Sequence, residues 1–138
     1  MPPSEDERAT AREWLLRAKS NLARAKQSKP VDALWEDVCF DAQQAAEKAV
    51  KAVLLWRDVT FPYVHDIEAL LTALQRAGHE VSEEMWDADD LSRYAVETRY
   101  PGAAPPVSEA DYRHAVILAE RVVRWAEQII AATPAAGG

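Results

Sequence analysis

The chain has 138 residues and a net charge of −7, with 49% hydrophobic and 28% charged residues. This balance supports one buried core and excludes intrinsic disorder. Only 4 glycines occur, and only Gly78 and Gly102 lie inside the chain, which argues against glycine-rich phosphate loops and tight hairpins. The lone Cys39 forms no internal disulfide and no Cys-type zinc site. No run of about 18 apolar residues exists, and the acidic start MPPSEDERAT is unlike a secretory signal. The expected setting is a reducing cytoplasm, away from membranes. Abundant Ala, Leu, Glu and Arg favour helix, so the expectation is one all-α domain over 1–138, with its core at about 5–132 and a frayed tail.

Charge divides at Asp58. Ten basic and ten acidic residues precede or include it, whereas six basic and thirteen acidic residues follow. A polyanionic partner is therefore not excluded by net charge.

Prolines mark the breaks between helices. The first helix is predicted from about Ser4 to Gln27, with Ser4 and Glu7 as a capping box. Ala11, Leu15, Ala18, Leu22 and Ala25 form its apolar stripe. Arg12, Arg17, Lys19, Arg24 and Lys26 lie off that stripe, as a solvated face or a phosphate contact. The second is predicted from Asp32, as N-cap, to Arg57. Its stripe is Trp35, Cys39, Ala42, Ala46, Ala49, Val53 and Trp56, widened by Leu34, Val38, Ala45 and Ala52. The central alanines let another backbone approach closely, as in the middle helix of a bundle. Gln43, Gln44, Glu47, Lys48 and Lys51 form a polar band beside it.

The third helix begins near His65 or Asp66, buries Ile67, Leu70, Leu71 and Leu74, and ends at a left-handed Gly78. Asp66 is the expected N-cap. A fourth is predicted from Ser82 to about Thr98, with Met85, Ala88, Ser92 and Ala95 on one face. The fifth runs from Ser108 to about Ala132, with Ser108 and Asp111 as a capping box. Its stripe is Tyr112, Ala115, Ala119, Val122, Ala126 and Ile129.

Enzyme templates find no match. No Glu-x-x-His pair for a di-iron bundle, Walker motif or dinucleotide fingerprint occurs. Asp111 and His114 share a helical face, but two ligands do not make a metal site. Cys39 sits in the core register as a small hydrophobe. No cofactor and no metal are expected. The candidate ligand-binding residues are Gln44, Lys48, Lys51, His65, Arg93, Arg99 and Tyr100, because Arg and Tyr together suit phosphate contact and base stacking, and equally a protein interface.

Three segments carry a family resemblance: Cys39-Phe40-Asp41-Ala42-Gln43-Gln44-Ala45-Ala46-Glu47-Lys48-Ala49 with Lys51-Ala52, then Phe61-Pro62-Tyr63-Val64-His65-Asp66-Ile67, then Arg99-Tyr100-Pro101. In order and spacing the chain resembles the HEPN domain family over about residues 10 to 131. The resemblance implies an up-and-down bundle of four long helices plus a short one, often a homodimer. It also implies a small nucleotidyltransferase partner in a toxin–antitoxin module, or a nucleotide or RNA ligand. Members that act as metal-independent RNases carry an Arg, four to six residues, then a His. Here Arg57 precedes His65 by seven intervening residues, and Arg93 and Arg99 have no His in that window. The leading expectation is therefore a non-catalytic binding module. The alternatives are an RNase with a displaced Arg99 and His65 pair, and a purely structural interaction protein, which an open, solvated Gln43–Lys51 band would favour.

Overall fold

The computed structural model describes residues 4–95 and 105–132, and Ala132 by its backbone alone. Among these residues the chain is an all-helical up-and-down bundle: α1 (Glu5–Lys26), α2 (Trp35–Trp56), α3 (Ile67–Arg76), a 3₁₀ helix (Glu83–Tyr94) and α4 (Glu109–Ala132). No helix among them is long and apolar enough to cross a membrane.

The stripes read from the sequence form the core. Ala18 and Ala25 of α1, Cys39, Ala42, Ala46, Ala49 and Val53 of α2, and Ala115, Ala119, Val122 and Ala126 of α4 are all buried in one cluster. Small side chains at these crossings let the three long helices lie close, and the larger Leu54, Leu70, Leu71 and Leu74 fill the space towards α3. The Tyr112 hydroxyl donates to the Ala25 carbonyl at 2.6 Å, and Lys26 meets Glu120 at 3.0 Å, fixing α4 against α1.

Several ends follow from local chemistry. Ser4 accepts from the Glu7 N–H at 3.1 Å. Ser108 and Asp111 satisfy each other's N–H groups reciprocally, at 2.9 and 3.1 Å. Asp66 caps α3, accepting from the N–H groups of Glu68 and Ala69. Gly78, at φ +96°, closes α3, with its N–H on the Gln75 carbonyl and the His79 N–H on that of Leu74. Asp58 does the same for α2 at φ +57°, with no glycine to signal it: its N–H meets the Leu55 carbonyl and the Val59 N–H that of Leu54.

Two expectations are corrected. Asp32 is not the N-cap of α2; Leu34 holds that place without a side-chain cap and is exposed rather than part of the stripe. Lys29 braces the preceding turn through the carbonyls of Pro30 and Ala33, and the Trp35 ring lies 4.8 Å from that of Tyr112, so the entry is set by aromatic packing instead of a cap. The fourth element is a 3₁₀ helix over Glu83–Tyr94 rather than an α-helix, and its expected end at Thr98 lies outside the described residues. Its buried residues are Met85, Ala88, Leu91 and Tyr94, every third position, whereas Ser92 and Ala95 are only partly covered. A three-residue repeat suits three residues per turn.

Candidate functional site

On α2, one step round from the alanine stripe, Gln43, Glu47 and Lys51 recur every four residues, so their side chains stack along one line of the helix. The line is not solvated. Gln43 is fully buried and Glu47 is 4% exposed. Buried polar groups are costly unless bonded, and these are bonded throughout. Gln43 Nε2 donates to Glu47 Oε1 at 2.8 Å, and Gln44 Nε2 to Gln43 Oε1 at 2.7 Å. Lys51 Nζ meets Glu47 Oε2 at 2.8 Å.

The fourth member arrives from another element. After α2 the chain turns at Asp58 and re-enters helix at Asp66, which sets His65 over Glu47. The imidazole Nδ1 lies 3.0 Å from Glu47 Oε1, and the Gln43 amide also reaches the His65 carbonyl at 3.4 Å. The His65 side chain is 68% exposed, so a buried carboxylate holds a surface imidazole by one nitrogen. Burial pushes the Glu47 carboxyl up, but hydrogen bonds from Lys51, Gln43 and His65 outweigh it and hold it below its ordinary value. An anionic carboxylate only accepts, so the Nδ1 that faces it carries a proton, and Nε2 is the ring nitrogen left for a further partner.

A second polar group joins α1 to α2. Asn21, buried in the α1 stripe, donates to Asp41 at 3.2 Å and accepts from Lys48 Nζ at 2.7 Å; Arg24 lies 3.7 Å from Asp41. Burial, then the charge of Arg17, pushes the Lys48 ammonium below its ordinary pKa.

The structure thus brings Gln44, Lys51 and His65 into one bonded chain and sets Lys48 beside it on the α1 side. Arg93 is elsewhere: it bonds the Tyr94 hydroxyl, lies over that ring and meets Asp111 at 3.6 Å at the start of α4. Arg99 and Tyr100 lie outside the described residues, and with them the Arg99–His65 pairing. The cations of α1 lie on an exposed face, where Arg12, Arg17, Lys19, Arg24 and Lys26 each also meet a carboxylate within 3.7 Å. Cys39 is buried and its thiol is pushed up to about 11, which suits a core residue rather than a nucleophile. His114 meets Asp90 while Asp111 caps α4, and no cluster of three or more metal-ligating residues occurs among the described residues.

Neither Glu47, which spacing places only in a polar band, nor Asn21 is among the candidate residues that the sequence offers. A signal for Asn21 was present: one amide in an otherwise alanine and leucine stripe, between Ala18 and Ala25. Glu47 had none, because its third partner lies 18 positions away across a loop.

Comparison with known proteins agrees with this architecture. The family model described as HEPN domain matches residues 11–129. Among solved structures, an archaeal HEPN homologue is 25% identical, covers 87% of this chain and 97% of its own, and superposes with a TM-score of 0.69. A HEPN domain protein from Thermotoga maritima is 29% identical over 92% of each chain, with a TM-score of 0.45. No curated protein matches the chain.

Proposed function

Because this chain belongs to the HEPN domain family, we propose that it is a non-catalytic binding module of that family, which pairs as a homodimer with a small nucleotidyltransferase in a toxin–antitoxin-type module and holds a nucleotide-like ligand beside His65. One observation carries the ligand: a buried, anionic Glu47 holds Lys51 and an exposed His65 in fixed positions. Stability alone is a poor reason for such a group, since well-packed apolar residues in place of a buried ion pair are often neutral or stabilising. Its effect is to present an imidazole edge and an ammonium with little freedom to lose on binding, which favours an anionic partner. The burial of Gln43 and Glu47 also counts against the purely structural reading that an open, solvated band would have favoured. Trp14, Trp35, Trp86 and Trp125 are only partly buried, which supports a protein interface.

A calorimetric titration with adenosine 5′-monophosphate tests the ligand. Saturable binding is expected; no heat with this or any other nucleoside monophosphate contradicts the reading. Light scattering should give twice the 15.4 kDa protomer mass at micromolar concentration.

The same geometry favours a second reading. An imidazole held at Nδ1 by a carboxylate keeps Nε2 for proton transfer, as a general base requires. RNA cleaved by the wild-type protein and left intact by His65→Ala would establish it over the binding module; intact RNA with both would remove it.

A further inference from the structure

Beside the His65 group, a pocket of about 340 Å³ opens between α1 and α2, lined by Thr10, Glu13, Trp14, Arg17 and Lys48. We propose that this pocket binds the base, ribose and phosphate of a ribonucleotide, with Trp14 under the base and Lys48 and Arg17 on the phosphate. The inference rests on the nucleotide reading above and names where that ligand sits.

Four observations converge here. Trp14 is half-buried: part of its ring packs on the small cluster of Ala11, Ala52, Trp56 and Ile130, and part lines the pocket. A ring anchored in a small core cluster at the wall of a pocket can serve as a stacking platform. Lys48 reaches the pocket without a direct ion pair: among the described residues its ammonium hydrogen-bonds the neutral Asn21 and no carboxylate lies within 4 Å, those of Glu47 and Asp41 acting on it only from farther off. Burial and the like charge of Arg17 already disfavour that ammonium, so a bound anion would relieve both cations at once. Among the described residues the ion partner of Arg17 is Glu13, at 3.0 Å, in a pair more than 60% exposed on both sides. Such a pair is weak, and the guanidinium can turn to a phosphate at small cost. Glu13, once released, offers an acceptor for ribose hydroxyls, the role a carboxylate takes in many dinucleotide sites.

The pocket also touches the first site. Lys51 Nζ lies 5.9 Å from the centre of the Trp14 ring and 2.8 Å from Glu47, which in turn holds His65. Base platform and lysine therefore lie along α1 and α2, and Glu47 joins them to the imidazole on the connection before α3.

The test compares adenosine 5′-monophosphate with ribose 5-phosphate, which lacks the base, by calorimetric titration of the full chain. The wild type should prefer the nucleotide, and Trp14→Leu should cut nucleotide affinity about tenfold or more while leaving ribose 5-phosphate unchanged. Lys48→Gln and Arg17→Gln, which leave the Trp14 packing intact, should weaken both ligands, and they decide the matter if Trp14→Leu does not fold. Equal affinity for the two ligands in the wild type, or nucleotide affinity unchanged in Lys48→Gln and Arg17→Gln, would overturn the assignment. If affinity is unchanged in those variants but lost in His65→Ala, this pocket is wrong and the function proposed above stands. If the wild type binds no nucleotide, both fall.

Discussion

Helix α2 carries two neighbouring stripes that do opposite things with burial. Along one, Cys39, Ala42, Ala46, Ala49 and Val53 meet α1 and α4 with no polar atom on their side chains except the Cys39 thiol. Along the other, Gln43, Glu47 and Lys51 are covered almost as well, yet every polar group needs a specific partner. The first stripe is held by shape and tolerates no added volume. The second is held by matched donors and acceptors and tolerates no missing partner. A helix that needed only to fold could have continued the first pattern; the second fixes an imidazole and one lysine, with Lys48 held nearby by Asn21 of α1.

Substitutions separate the two stripes. The largest effect belongs to the apolar core in which the first stripe lies. Leu54 is fully buried, and Leu54→Ala should lower unfolding stability in urea by about 2–5 kcal/mol, with nucleotide affinity of the folded fraction unchanged. On the polar side, Glu47→Ala strips Lys51, Gln43 and His65 of one acceptor and should cost about 3 kcal/mol, measured the same way.

The pH dependence sharpens this second figure. A carboxyl held below its ordinary value, here 4.5, stabilises the fold fully above that pH and loses the contribution as pH falls through the folded value. Glu47→Gln should therefore flatten the acid limb of stability below about pH 4.5, and an unaltered limb would show that Glu47 is not held anionic by its neighbours. Away from both stripes, Asp66→Ala removes the α3 cap and should cost only about 1 kcal/mol in thermal or urea unfolding.

How far the sequence foretold the molecule follows the same division. Apolar stripes are periodic and local, so the faces of α1, α2, α3 and α4 were legible residue by residue, as were the Asp66, Gly78 and Ser108 ends. The 3₁₀ helix was misread because an α-period was imposed on Met85 and Ala88, although Leu91 and Tyr94 continue a three-residue spacing. Asp32 was misread because capping preference was allowed to outrank the Trp35–Tyr112 contact, which joins residues far apart in the chain. At the candidate site, Gln44, Lys48, Lys51 and His65 were named from residue type and position, but not what joins them. The buried Glu47 links Lys51 to His65 across a loop, where spacing carries no signal, while the Asn21 that receives Lys48 shows in the sequence only as one amide in an apolar stripe. Arg93, chosen for its neighbour Tyr94, is instead committed to Tyr94 and Asp111.

The central claim is that the polar stripe faces a ligand, and His65 is the residue that separates this from a structural role, since its side chain is 68% exposed and little packing depends on it. The most direct measurement is calorimetric titration of adenosine 5′-monophosphate into the wild-type protein and into His65→Ala. Affinity at least about tenfold weaker is expected in the variant, the loss of one hydrogen bond to the charged phosphate. Equal affinity in the two proteins would contradict it.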